Sequence, residues 1–299
     1  MGKIVANAGG IDVIDCETCG FRHIVPLPAP EITERFYRER YYRDEKPDYI
    51  AHDEEDLPWL ELISADRLEL CEKILGPNRR RLIDIGSGPG FFLKTAQSRG
   101  WDATGIEPSR QAAAYARKMG TKVVEGFFNA DTASHLGRFD VVYACNVLEH
   151  VPDPAGFLVL AKEVLTPEGL LCLDVPNDFT AFQAAAVAAE NTEKWWIVPH
   201  HHYNYFNFSS LTALLRRKDF RVVERSTGFP MELFLLMGEN YVGHPELGRA
   251  CHNKRKRFDL ALEAIGAGAT RRTFYRALAE AGIGREVFLI ATLTNPSPH

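Results

Sequence analysis

No stretch of this sequence approaches the roughly 18 consecutive apolar residues that a membrane-spanning helix needs. The opening residues, MGKIVANAGG, lack the apolar centre of a secretory signal, and Ala6 stands where a myristoylated chain wants serine or threonine. Cysteine is sparse: six among 299 residues, with only Cys16 and Cys19 close together, which excludes a disulfide-stapled scaffold. A basic surplus is missing too. The net charge is −5, whereas a dedicated nucleic-acid binder carries an excess of Lys and Arg. These absences leave a soluble, cytoplasmic protein with a small-molecule partner, no nucleic acid and no membrane, as a monomer or a homodimer. What is present is ordinary globular composition, 45% hydrophobic and 25% charged, in a chain long enough for one large domain with appendages. The runs Arg79–Arg81 and Lys254–Arg257 read as solvated faces, the second alternatively as an attraction for an anionic substrate.

Four regions follow from the patterning. Residues 1–80 comprise strand-like segments ending in proline punctuation, then two helical stretches, RFYRERYY and LPWLELISADRLELCEKIL, the latter stopping at Gly76-Pro77. Residues 81–227 alternate apolar strands (RLIDIG, WDATGIEP, TKVVEG, FDVVYACNVL, GLLCLDVP, FRVVERST) with helices. One of these, SRQAAAYARKMG, has Ser109 as N-cap and Gly120 as its C-terminal stop. Continuous apolar strands separated by helices mean a mostly parallel sheet covered on both faces. Residues 228–283 form a mostly helical insertion, expected to shape an acceptor pocket or a dimer contact, because FPMELFLLMGENY is too apolar for a free loop. Residues 284–299 hold the last strand, REVFLIATL, and the tail.

LIDIGSGPGFF ends the first strand of the alternating region and opens its first helix. Gly86, Gly88 and Gly90 allow a sharp turn and a close ligand approach, and the helix N-terminus beyond supplies unpaired N–H groups. The spacing is G-x-G-x-G with Phe91 where a dinucleotide fingerprint wants glycine, which disfavours a nicotinamide cofactor. Glu107 closes the next strand, where a carboxylate can accept both hydroxyls of a ribose.

LIDIGSGPGFF, GIEPS, FDVVYACNVLEHVPDP and VLTPEGLLCLDVPN, in that order, resemble the successive motifs of class I S-adenosylmethionine-dependent methyltransferases. The resemblance runs over residues 81–227 and implies an α/β, Rossmann-like, doubly wound seven-stranded sheet. It also implies S-adenosyl-L-methionine as cofactor. By the same resemblance the backbone at Gly86 and Gly88 faces the methionine part, and Asp84 orders that loop and reaches the α-amino group. Glu107 holds the ribose diol, Phe127 and Phe128 flank adenine, Asn146 lies under the methionyl moiety, and Ser87, Gly90, Pro108 and Leu148 complete the cofactor-binding set. His150, in LEHV, faces the reaction chamber in such enzymes; its alternative is a loop-capping imidazole.

The segment EKWWIVPHHHYNYF, residues 193–206, follows the fifth strand of this region and so falls at the ligand-binding edge of an open α/β sheet. Read as extended chain, it puts His200 and His202 on one face and His201 on the other. It also resembles the Tyr-His-Glu-His run of sugar C-methyltransferases; alignment on Tyr205-Phe206 places His202 on their base, with His201 and Pro199 departing from the pattern. A histidine suits proton removal from a hydroxyl. Metal binding by His200 and His202, with Asp174, Asn177 and Asp178 nearby in sequence, and plain packing are the alternatives.

CETCGFRH resembles half of the N-terminal zinc module of the same sugar methyltransferases. Cys16, Cys19 and His23 make three ligands where structural zinc wants four, so a hairpin without metal is expected. The tyrosines at 37, 41 and 42 resemble a lid segment. The expected activity is methyl transfer to a small molecule, most simply a hydroxyl of a sugar-like or other polar metabolite, with His202 as base and His150 second. N- or C-methylation on the same scaffold and a non-catalytic cofactor-binding partner are the competing functions.

Overall fold

The computed structural model describes residues 2–294. Eleven strands are found there: β1 (Gly2–Ala8), β2 (Ile11–Cys16), β3 (Phe21–Val25), β4 (Arg81–Ile85), β5 (Asp102–Glu107), β6 (Lys122–Glu125), β7 (Phe139–Cys145), β8 (Leu165–Pro176), β9 (Asn204–Tyr205), β10 (Phe220–Ser226) and β11 (Glu286–Leu293). Seven of them form one sheet in the order β10-β11-β8-β7-β4-β5-β6, with β4 parallel to β5 and β7, and β5 parallel to β6. This is the expected Rossmann-like, mostly parallel sheet flanked by helices. Its central strands are buried almost throughout, Leu82–Ile85 and Gly169–Val175 among them, as strands covered on both faces must be. No helix among the described residues is long and apolar enough to cross a membrane.

The chain divides into two compact units. One takes residues through Pro26, Asp174–Leu214 and Glu224–Leu289; the other takes Leu27–Leu173, Leu215–Val223 and the chain from Ile290 on. The helical signals hold locally in the second unit. The Ser109 side chain accepts from the Ala112 N–H at the start of helix Arg110–Lys118, Gly120 adopts positive φ after its end, and Gly76 caps helix Leu57–Leu75. The Tyr-rich stretch is helical but wider than an α-helix: Phe36–Glu45 is a π-helix, with the Lys46 N–H reaching the Tyr41 carbonyl at 2.8 Å.

In the first unit β1, β2, β3 and β9 make a second, antiparallel sheet. Its fourth strand is the Asn204–Tyr205 pair, registered on His23 and Arg22. The core beneath it joins Val13 and Ile24 to Trp196, Ile197, Tyr203 and Tyr205. Residues 198–202 are therefore not extended: the His201 and His202 N–H groups both reach the Val198 carbonyl at 2.9 Å, closing a tight turn. Tyr203 carbonyl also accepts from Ile24, so the chain must reverse before it enters the sheet, and the alternating-face expectation gives way to turn geometry. The apolar insertion is buried in part, with Leu236 and Met237 exposed. Met231 and Phe234 pack with Cys251, Phe229, Tyr241 and Leu247, between helices Glu232–Leu236 and Pro245–Ala264.

Trp196 anchors the small sheet, whereas His200 is exposed. Trp196→Ala is expected to cost about 3–5 kcal/mol in denaturant unfolding, and His200→Ala less than about 0.5 kcal/mol; comparable losses for both would refute this division.

Candidate active site

The second unit gathers most of the residues expected to hold a cofactor. After β4 the chain turns through Gly86, Ser87, Gly88, Pro89 and Gly90, all three glycines at positive φ. Each leaves room for a different neighbour. A Cβ on Gly86 would lie 2.6 Å from Val147 Cγ2, and one on Gly88 would lie 2.9 Å from the Tyr42 hydroxyl. One on Gly90 would meet Ala116 Cβ at 3.0 Å, so this last glycine serves helix packing rather than ligand approach. The Ser87 hydroxyl lies over Gly105, where any side chain would collide with it at 2.3 Å, so only the Ser87 backbone faces outward.

Glu107 ends β5 with its carboxylate buried. Oε2 accepts the Gly88 N–H and Oε1 the Ser109 N–H, each at 2.8 Å. Each oxygen keeps a second lone pair, which fits the paired hydroxyls of a ribose. Burial is the larger influence on this group and outweighs the two N–H bonds, so its pKa rises to about 7. Asp84, one strand away in β4, is pushed well above the carboxylate range by burial and then by the Glu107 charge. Pro108, half-buried, follows on the β5 exit. Phe127 and Phe128 follow β6: Phe128 meets Phe157 edge to face at 5.4 Å, and the Arg38 guanidinium lies 5.9 Å from the Phe127 ring centre. Asn146 ends β7 exposed and at positive φ, a conformation asparagine tolerates. Leu148 is fully buried in a 3-10 turn, Leu148–His150, so its side chain fixes the turn.

The lid expectation acquires geometry. Tyr42 is buried with its hydroxyl against Gly88, and its ring meets Tyr49 at 5.5 Å. Burial, with the Glu149 and Glu107 charges contributing, raises Tyr41 to about 12, and burial raises Tyr42 and Tyr49 well above the ordinary phenol value, so these phenols stay neutral donors. Asp53, desolvated beside Asp56, rises to about 7. Sequence reasoning missed one pairing: the Tyr37 hydroxyl is 2.8 Å from His150 Nδ1, and His150 Nε2 is 3.7 Å from the buried Glu149 carboxylate. The signal was there in the tyrosine spacing, but a π-helical turn, not an α-helical one, brings Tyr37 into register.

In the first unit His202 is half-buried at the end of the 198–202 turn, its ring centre 6.4 Å from that of Tyr205. His200 is exposed with Nε2 over Gly9. In the alternative metal set the Asn177 amide nitrogen donates to the Gly282 and Gly284 carbonyls at 3.1 Å, and its Oδ1 is buried. At the β2–β3 hairpin Cys16, Cys19 and His23 do converge, their ligand atoms within 4.8 Å of one another. The Cys16 sulfur accepts from the Cys19 N–H, and Cys19 Sγ lies 3.6 Å from His23 Nε2. Burial raises the Cys16 thiol, but the hydrogen bonds from Cys19, His23 and Thr18 together bring it down to about 7.

A family model described as "Methyltransferase domain" matches residues 50–225. The ubiquinone biosynthesis O-methyltransferase of Aromatoleum aromaticum is 31% identical over 161 residues, covering 52% of this chain and 68% of that protein. The C-methyltransferase NovU of Streptomyces niveus is 24% identical over 231 residues, covering 74% of this chain and half of that one. In fold the chain is similar to the plantazolicin methyltransferases BpumL and BamL, both solved with S-adenosylhomocysteine, at TM-scores of 0.52 and 0.54. The identities are 15% and 12%, with 89% and 88% of this chain and 96% and 95% of theirs covered. The chain belongs to the class I S-adenosylmethionine-dependent methyltransferases.

Glu107→Ala removes the brace of the glycine loop and the carboxylate expected to hold the ribose. S-adenosylhomocysteine binding by calorimetry is expected to weaken by about 1.5–3 kcal/mol. In the unaltered protein affinity should also fall between pH 8 and pH 6, since the ionised carboxylate accepts the hydroxyls and Glu107 gains its proton near pH 7. A flat pH profile with an unaffected mutant would remove Glu107 from the ribose. Separately, protein purified without chelator should carry well under one zinc per chain; stoichiometric zinc that disappears in Cys16→Ser would establish a metal centre on the hairpin.

Proposed function

We propose that the protein methylates a hydroxyl of a sugar-like or other polar small molecule, with His202 as the base. The observation that carries this reading is the setting of His202: a half-buried imidazole on a turn fixed by the Val198 carbonyl and followed by a buried strand. A ring so placed loses little entropy on meeting an acceptor. When bound, S-adenosylmethionine supplies an electrophilic methyl carbon on a sulfonium. The protein's task is then to align the acceptor oxygen and take its proton as attack proceeds, and a neutral imidazole does both. His150, held by Tyr37, is the second candidate for that role. Residues 228–283 are assigned the acceptor side, and residues 81–227 the cofactor side.

The similarity to a protein named a C-methyltransferase over 74% of this chain supports carbon methylation as the second reading. The position of the transferred methyl in the product, read by NMR, separates the two.

His202→Ala should leave S-adenosylhomocysteine binding within about 0.5 kcal/mol and lower turnover by roughly 10²–10⁴. Activity should fall on acidification, because only neutral imidazole accepts a proton. Retained activity in His202→Ala, with loss in His150→Ala and Tyr37→Phe, would move the base to the Tyr37–His150 pair.

A further inference from the structure

The β2–β3 hairpin carries a group of side chains that methyl transfer does not use. Cys16 ends β2, Cys19 lies in the turn and His23 stands on β3, with Cys16 registered on Phe21 across the hairpin. Both cysteines are thiols. The Gly20 N–H reaches the Cys16 carbonyl at 2.7 Å, and Gly20 adopts positive φ, so the turn is tight. The Cys19 N–H donates to Cys16 Sγ at 3.4 Å. The two sulfurs and a ring nitrogen of His23 lie within 4.8 Å of one another. Among the described residues no fourth His, Cys, Asp or Glu joins them, so the set stops short of the four ligands of a structural zinc.

The hydrogen bonds fix which imidazole nitrogen is the base. His23 Nδ1 lies 2.9 Å from the Ile24 carbonyl, and a carbonyl only accepts, so Nδ1 carries the proton. Nε2 of the neutral ring is then the lone-pair nitrogen, and it faces Cys19 Sγ at 3.6 Å. The Cys19 thiol therefore donates to a base, and that base is held by the backbone of β3 at the buried Ile24. A thiol, an imidazole within reach and a third group orienting that imidazole are what a nucleophilic cysteine requires. Exposure sets the order in which the two sulfurs act. Cys19 is half-buried and can meet a small reagent, whereas Cys16 is only 7% exposed and has the Cys19 sulfur within reach.

We propose that Cys16 and Cys19 form a reactive dithiol that exchanges with low-molecular-weight disulfides, with Cys19 as the attacking thiol, His23 as its base and Cys16 as the resolving thiol. His23 Nε2 takes the Cys19 proton, and the thiolate attacks one sulfur of the external disulfide. A mixed disulfide forms on Cys19, and one external thiolate leaves and takes the proton from His23. Cys16 then attacks Cys19 Sγ. The Cys16–Cys19 bond forms, and the second external thiolate leaves with the proton from Cys16. The two cysteines are oxidised and the external disulfide is reduced to two thiols, with no other reactant. The product closes the turn covalently on the hairpin whose β3 strand carries β9. This chemistry is independent of the methyl acceptor.

The test treats the reduced full chain with oxidised glutathione near neutral pH and follows intact mass and peptide maps. The unaltered protein should lose two hydrogens, the mapped bond should join Cys16 to Cys19, and dithiothreitol should reverse it. Cys16→Ser should stop at one glutathionyl group on Cys19, since no second thiol resolves it. Cys19 should react about tenfold faster than Cys145, which is half-buried too, because an unassisted thiol is only slightly ionised near neutral pH. His23→Asn should remove most of that advantage and leave the Cys145 rate as it was. S-adenosylhomocysteine binding within twofold of the unaltered protein shows that each variant is folded. The proposal is overturned by the absence of a Cys16–Cys19 disulfide, by a Cys19 rate no higher than that of Cys145, or by an unchanged Cys19 rate in His23→Asn. Stoichiometric zinc on the hairpin of the purified protein, holding both sulfurs, overturns it as well. Should a variant misfold, the mapped disulfide and the ratio of Cys19 to Cys145 rates in the unaltered protein still decide.

Discussion

The Glu107 carboxylate, buried and bound by the N–H groups of Gly88 and Ser109, is the interaction on which the second unit is organised. Burying a carboxylate costs several kcal/mol, and each charge-assisted hydrogen bond returns about 1.5–3 kcal/mol. Burial outweighs the two bonds, which is why Glu107 titrates near pH 7 instead of in the ordinary carboxylate range. The buried carboxylate also shapes what surrounds it. Gly88 must present its N–H, so the loop turns at positive φ; the absent side chain admits the Tyr42 hydroxyl; and the charge reaches Asp84, Tyr41 and Tyr42. Binding a diol would add two more donors and tip Glu107 toward the ionised state.

The aromatic-histidine segment splits between two duties. Trp196, Ile197, Tyr203 and Tyr205 close the core of the antiparallel sheet, and the histidines occupy the turn that this packing forces. An imidazole on a turn anchored at both ends keeps its position without any wall of its own. The first unit pursues the same economy at Arg285, where backbone bonds from Asn177 and to Gly228 set the placement.

What could be read from the sequence was what repeats over short range. The alternating strands, the Ser109 cap, the glycine loop and Glu107 each depend on residues within one strand-turn-helix unit, so their spacing carries them. Tyr42 against Gly88, Tyr37 on His150 and Asn177 under Gly284 depend on chain far away in sequence, and no local periodicity encodes such meetings. The extended reading of His200–His202 failed for the same reason. It assumed the segment answered only to its own alternation, whereas the pairing of Asn204 with His23 dictates where the chain must reverse. Arg255 and Lys256 sit in a run that looks like a solvated face, and only tertiary packing half-buries these two of its four charges.

The pairing of β9 with β3 has a consequence for assembly. The first three strands leave the ribosome early, but the strand that completes their sheet, and the tryptophans that fill its underside, follow only after most of the large sheet has been synthesised. A three-stranded meander without its apolar backing is marginal in water. These three strands, made before the large sheet, are therefore among the last parts of the chain to become stable, and they pass that interval with the edge of β3 open to other partners.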